Sequence, residues 1–449
     1  MKGHHSRPRL LFALLLCSLA SLLSACAAQP STQGATSSPT SPTQASPSPT
    51  ATPASPTACP SPGAARAAVM PSLAAGHDQA LIYSYNDTSN GYLARYDLAT
   101  KQKTQLLPPA SVSAVQQAQV SADGQWVLML NTPNPQVDQQ HSALLQLVRR
   151  DGQDLQTLYC FSDQNYSNAG QPNANRHLPI TLAWSADEHW VLFSIDLANN
   201  ESDVYLLDMT SGALRTVLHD AGDDLYSYSV LAWLNNTQAY ILRSGRQGPP
   251  PPINLYLLDI TGNQNPNAPT SWPLVLTHDI RQSYLSMGSN PAGTKLFVAY
   301  CLLASNPFDT TISAGPATGG TQQTLYHVNQ FLCAVQMQVI SSTKMLILIQ
   351  NTDGNGNPGD YGVMTLGTDG TQARSLYTLS GSVSGGYALN QSSQAPWSSV
   401  SRDGSTYALQ FNSSAAQGKV FVASINGGTP ALIDSINGGT MSLVGWTTV

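Results

Sequence analysis

A four-part unit recurs through this chain, and no other feature of its 449 residues restricts the fold as tightly. The clearest copy runs Thr181-Leu-Ala-Trp184, Ser185-Ala-Asp-Glu188, Trp190-Val-Leu-Phe193, Val204-Tyr-Leu-Leu-Asp208 and Leu214-Arg-Thr-Val-Leu218. It reads as four short strands: one ending in an aromatic residue, a tight turn, an apolar second strand, a Tyr-Leu-Leu-Asp third strand and a polar fourth. With the second strand as a ruler, copies begin near Ala80, Trp126, Trp190, Ala239, Leu296, Met345 and Thr406, at intervals of 46 to 64 residues. Each interval holds four short strands and their loops, the size of one propeller blade.

The turn recurs as Ser121-Ala-Asp-Gly124, Ser185-Ala-Asp-Glu188, Asn290-Pro-Ala-Gly293 and Ser401-Arg-Asp-Gly404. An Asp side chain can bond the local backbone there, and Gly accepts positive φ. The fourth copy (Leu234-Asn-Asn-Thr-Gln238) and the sixth (Ile340-Ser-Ser-Thr-Lys344) lack the Asp-Gly pair. Composition agrees with strands: 34 Gly, 30 Pro and only 10% charged residues favour many short strands over long charge-paired helices. The expected fold is all-β, a seven-bladed propeller, with six or eight blades also compatible. Near the C-terminus, Leu443-Val-Gly-Trp446 matches the end of a first strand, yet no second strand follows it. The copy at Ala80 lacks a clear first strand, so residues 440–446 are expected to supply it and close the ring, removing two raw sheet edges. The alternative is that Val69 to Leu73 is that strand.

The Ser-x-Asp-Gly turn, apolar strand and Tyr-Leu-Leu-Asp strand resemble the WD-like repeats of TolB-type propellers. They are also similar to the propeller domains of the prolyl-oligopeptidase and dipeptidyl-peptidase families. The resemblance covers about residues 76–449 and implies a scaffold. In those peptidases catalysis resides in a hydrolase domain with a Gly-x-Ser-x-Gly elbow, which does not occur in this sequence.

The N-terminus reads as an address. Residues 1–9 are basic, Leu10 to Leu23 are apolar, and Leu23-Ser-Ala-Cys26 looks like a bacterial lipobox. Residues 1–25 are then a lipoprotein signal peptide and Cys26 the lipidation site. An ordinary signal peptide cut near Ser24-Ala-Cys-Ala27 is the alternative. Ala27, rather than an Asp, follows the Cys, which is compatible with outer-membrane sorting in a two-membrane cell. No later stretch reaches the ~18 apolar residues of a membrane span. Residues 26–72, rich in Ser, Thr and Pro, are expected to form a disordered stalk, and 73–449 the propeller. The expected location is extracytoplasmic, anchored to a bacterial membrane.

Removing residues 1–25 removes Lys2, Arg7 and Arg9 and no acid, so the formal charge moves from −6 to −9. That balance disfavours nucleic acid as a partner. His-Glu-x-x-His, a phosphate loop and Cys-x-x-Cys are missing, and the seven later histidines (77, 141, 177, 189, 219, 278, 327) are scattered. Nothing points to a cofactor. A weak calcium candidate is Asp353, Asn355 and Asn357, whose alternating oxygens imitate a calcium loop; Pro358 and Met364 stand where that loop needs Gly and Glu. Cys301 and Cys333 lie in adjacent copies and are the disulfide candidate; Cys160 has no evident partner, and Cys59 falls in the stalk.

The expected function is a non-enzymatic scaffold, a monomeric binder of an envelope protein, a peptide or a glycan. Its specificity would sit in the unequal loops 131–142, 160–179, 245–253 and 304–323. The alternative is an extracellular hydrolase or lyase using carboxylates around the channel, with Asp196, Glu201, Asp203, Asp223, Asp224 and Asp309 as candidates.

Overall fold

The computed structural model describes residues 56–447, except 62–63, 72–78, 88–89, 108–111, 163–177, 197–200, 221–225, 246–251, 279–282, 303–308, 330–331, 353–357, 381–384 and 391–392. The described strands form seven four-stranded antiparallel sheets, the blades of a propeller. Blades 2 to 7 each take four consecutive strands. Blade 1 takes its inner strand from the far end of the chain: Gly439–Trp446 pairs with Ala80–Asp87, bringing Trp446 opposite Leu81 and Met441 opposite Tyr85. Thr447 continues the seal, its N–H donating to the Ala80 carbonyl at 2.9 Å. The ring is therefore closed by its own C-terminal strand. Val69 is not in that sheet; its backbone is bonded to the Gln156 side chain of blade 2.

Burial follows each strand's place in its blade. The second strand is pressed by neighbouring blades on both faces, so most of it is apolar: in Trp126–Pro133 the first five residues are apolar, with Val127 to Leu130 fully buried. The fourth strand faces solvent on its outer edge, and Lys103–Gln105 is exposed throughout. Between blades 2 and 3, Leu145, Leu147, Leu182 and Phe193 pack into one cluster. Fully burying each such side chain contributes about 1.5–3 kcal/mol.

The Ser-x-Asp turn is a hydrogen-bonded device repeated around one face. Ser121 Oγ donates to Asp123 Oδ1 at 2.5 Å and accepts the Trp126 N–H at 3.0 Å. The same pair of bonds recurs from Ser185 to Asp187 and Trp190, and from Ser401 to Asp403 and Thr406. Gly124 and Gly404 take φ of 73° and 69° in these turns, and Glu188 takes 62° at the equivalent place. A non-glycine residue there is held at a cost of about 1–3 kcal/mol.

Residues 56–61 and 64–71 depart from the expected stalk. They lie as a strap along blades 2 and 3. Thr157 donates its N–H to Pro56 O at 2.8 Å, Arg66 N bonds Leu158 O at 3.0 Å and Ala68 N bonds Met209 O at 2.9 Å. Cys59 and Cys160 form a disulfide. Ala65, Ala68 and Met70 pack on the core between the two blades, and the strap passes so near Gly212 that a Cβ there would meet Ala65 O at 2.7 Å. The strap thus covers part of an outer sheet edge that would otherwise present unpaired amides.

Candidate functional site

The first strands run side by side around the axis, so the residues that end them gather at one end of the channel. Trp184 and Trp233 end the inner strands of blades 3 and 4 (Leu178–Trp184 and Tyr226–Trp233). They line a cavity of about 200 Å³ together with Gln119 of blade 2, Ser289 to Pro291 of blade 5 and Ser393 to Trp397 of blade 7. This mouth opens on the face that carries the Ser-x-Asp turns.

Blade 7 builds the mouth by breaking its own regularity. Its inner strand pairs as far as Ala388↔Gln410, and pairing resumes only at Val400↔Tyr407. Residues 389–390 and 393–399 leave the sheet as an insert. Asn390 Nδ2 donates to Val444 O of blade 1 at 2.9 Å, and Trp397 Nε1 to Val120 O of blade 2 at 3.0 Å. On the other side, Gln336 Oε1 of blade 6 accepts the Leu389 N–H at 2.5 Å, and Gln338 Nε2 donates to Ala395 O at 2.7 Å. Pro396 opens a short 3-10 turn that presents Trp397.

The tryptophans are fixed by their indole N–H groups. Trp184 Nε1 donates to Glu188 O at 3.1 Å and Trp233 Nε1 to Ala183 O at 3.0 Å. The Trp184 backbone N–H is in turn held by Gln119 Oε1 at 2.9 Å. Rings bonded in this way are preorganised for contact. Behind Trp397, away from the mouth's lining, the Arg402 guanidinium lies 4.2 Å from the ring centroid.

A second cavity of about 320 Å³ lies along the inner strands of blades 4 to 7, and Leu231 and Gln394 line both it and the mouth. A third, of about 300 Å³, is lined by Ser84, Gln116, Gln117, Gln410 and Ser442 among others. None of the described residues lining these three cavities is a carboxylate, histidine, lysine or arginine. Polar contacts come instead from amides and hydroxyls. Among the described residues Gln394 makes no side-chain hydrogen bond, and the buried Gln338 Oε1, which lines the second cavity, has no partner.

A fourth cavity, of about 280 Å³, shares Pro396 and Trp397 with the mouth and is lined by Lys344 and Arg402; the described carboxylates line none of the four. Beside the turn of blade 2, Glu188 Oε1 accepts the Asp123 N–H at 2.5 Å. Burial raises the Glu188 carboxyl to about 7, with the Asp123 carboxylate adding to the rise and Arg402 opposing it. Burial also lowers the Arg402 guanidinium to about 10, against the pull of Asp123 and Glu188. In blade 3, Asp203 is buried and bonded by His219 Nδ1 at 2.8 Å and by the Tyr205 hydroxyl at 2.9 Å. The bond to Asp203 raises the His219 pKa. Asp203 is thereby a packed structural acid and lines none of the three cavities. Asp223 and Asp224 lie outside the described residues, as do the side chains of Asp196 and Asp309.

Cys26 and the calcium candidates Asp353, Asn355 and Asn357 also lie outside the described residues; the strands flanking the latter pair as far as Thr352↔Pro358. Cys301 and Cys333 are joined by a disulfide between blades 5 and 6, fully buried. Cys160, left without a partner by sequence reasoning, is bonded to Cys59 of the strap. His141 Nε2 lies 3.6 Å from Cys59 Sγ, and its Nδ1 is 2.8 Å from Asp138 Oδ2. Cys59, His141 and Cys160 are grouped closely enough for a metal, but disulfide sulfurs are not thiolate ligands.

The mouth was missed because Trp184 belongs to the most regular copy and regularity reads as scaffold. The excess length before the seventh copy, with Pro396 inside what should be a first strand, is the signal that could have located the insert.

Together these features define a closed seven-bladed β-propeller with a tryptophan-lined axial mouth. Its structural neighbours include the propeller domain of prolyl oligopeptidases and TolB. A prolyl endopeptidase aligns with a TM-score of 0.52 at 10% identity, over 80% of this chain and 47% of that one. This chain therefore spans about half the length of that enzyme. A putative TolB from Agrobacterium tumefaciens aligns with a TM-score of 0.38 at 12% identity, over 72% and 94% of the two chains. An oligogalacturonate lyase from Vibrio parahaemolyticus gives 0.47 at 12% identity, over 78% and 90%. At such identities the likeness is one of fold. No protein-family model matches the sequence, and no curated protein sequence matches it.

Proposed function

We propose that the protein is a membrane-anchored, extracytoplasmic propeller that binds a protein, peptide or glycan at the axial mouth without turning it over. The observation that carries this reading is the mouth itself: three immobilised tryptophans and an irregular insert converge on a concave site, and no described lining residue is ionisable. Concave, largely apolar sites with a few placed polar groups are the usual form of a ligand pocket. Anchoring rests on Leu23-Ser-Ala-Cys26 and the Ser/Thr/Pro-rich residues after it.

Two measurements test the reading. Fatty-acid labelling of the protein in cells, lost in Cys26→Ser, supports the anchor; labelling unchanged by that substitution removes it. A screen of glycosides, lactones and peptides for both binding and turnover separates a scaffold from the rival hydrolase or lyase. Turnover abolished by a single Asp→Asn change would overturn the binding reading.

A further inference from the structure

We propose that the mouth takes the terminal sugar of an uncharged oligosaccharide, entering along the propeller axis. This inference rests on the mouth being a binding site and narrows what it binds. Three observations carry it.

The first is charge. A carboxylate, phosphate or ammonium brought into the mouth meets no opposite charge on any described lining residue, and an unpaired charge taken out of water costs far more than a neutral group. Arg402 and Lys344 line a separate cavity on the other side of Pro396 and Trp397, outside the mouth, and Arg402 is already committed to three backbone carbonyls. A peptide terminus entering end-on carries such a charge. A sugar end does not.

The second is the pattern of polar groups. Gln394, which lines both the mouth and the cavity behind it, has no side-chain partner among the described residues. Amides both donate and accept, and so do hydroxyls, which makes a polyhydroxylated ring a match for them. A purely apolar side chain inserted from a partner protein would leave the Gln394 amide desolvated and unsatisfied, at about 1–3 kcal/mol.

The third is shape. The mouth, at about 200 Å³, is small beside the range of ligand pockets and suits one ring-sized group. Trp184, Trp233 and Trp397 supply its apolar walls, and the C–H faces of a sugar ring pack on such aromatic surfaces. Leu231 and Gln394 carry the lining on to the larger cavity behind, which leaves room for depth.

The experiment uses the purified full chain and titration calorimetry with hexasaccharides of glucose, mannose, xylose and N-acetylglucosamine, matched uronate hexasaccharides, and a set of blocked and unblocked peptides. At least one neutral hexasaccharide is expected to bind. Gln394→Leu is expected to weaken it by about tenfold or more at unchanged Tm, and Trp233→Ala to weaken it at least as much with some loss of Tm, because that ring also packs against the core between blades 3 and 4. Uronates of equal length are expected to bind at least about tenfold more weakly. Failure of every neutral hexasaccharide, or equal binding of a uronate, overturns the inference. Peptide binding that depends on Trp233 also overturns it but leaves the binding scaffold standing, whereas turnover of a saccharide removes the scaffold reading itself.

Discussion

Arg402 and Ser121 meet across the seam of the ring: Nη2 of Arg402, in the turn of blade 7, donates to the Ser121 carbonyl, in the turn of blade 2, at 2.7 Å. Blade 1 lies between them. The same guanidinium bonds the Trp446 carbonyl of the closing strand at 3.0 Å and Ala122 O at 2.6 Å, so one side chain spans three blades at the closure. Arg402→Met leaves those carbonyls without their charged donor and is expected to lower stability by about 2–4 kcal/mol. Arg402→Lys is expected to recover little, because an ammonium lacks the planar fork. Urea unfolding of the two variants checks this; a Lys variant as stable as the parent would remove the clasp.

Glu188 ties stability to pH. Its folded-state carboxyl titrates at about 7, raised from 4.5 chiefly by burial. Between those values the folded protein holds a proton that the unfolded chain has lost, so stability falls as pH rises from about 4.5 to about 7 and then levels. His219 acts in the same direction, since its raised folded pKa gives stability that is present at low pH and lost as pH rises through it. Glu188→Gln keeps the side-chain shape and cannot titrate, so its stability profile from about pH 5 to pH 8 should be flatter than that of the parent. Parallel profiles would contradict the assignment.

The strap makes a covalent prediction. Peptide mapping without reduction should recover Cys59 linked to Cys160 and Cys301 linked to Cys333, which lie 101 and 32 residues apart. The double variant Cys59→Ser, Cys160→Ser should lose about 2–4 kcal/mol. It should also raise amide exchange at Thr157, Arg66 and Ala68, whose N–H groups are bonded between strap and blades. Unchanged exchange at those residues would show that the strap does not depend on the bond.

The architecture was legible because each blade repeats its hydrogen-bonding needs. Ser121, Ser185 and Ser401 each require an Asp two residues on, and Trp446 could be matched to Trp184 as the end of an inner strand. The strap was not legible, because residues 56–71 largely share the Ser, Pro and Ala composition of the tail before them; Cys59, Arg66, Val69 and Met70 break it, but the partner of Cys59 is 101 residues away and too few apolar residues are present to read as a packed segment. The mouth was legible in part. Trp184 and Trp233 were visible as strand ends, but their convergence with Gln119 and Trp397 depends on ring closure, which no local spacing records. Loops 131–142, 160–179, 245–253 and 304–323 drew attention through length, whereas the insert at 389–390 and 393–399 hid inside an expected strand.

The most direct test of the mouth as the working site uses the seven tryptophans as reporters. Fluorine NMR of fluorotryptophan-labelled protein, assigned by single substitutions, is followed during titration with any ligand that binds. Resonances of Trp184, Trp233 and Trp397 are expected to shift together, while the core residues Trp126, Trp272 and Trp446 stay in place. A saturable ligand that leaves the three mouth tryptophans unmoved would contradict the account.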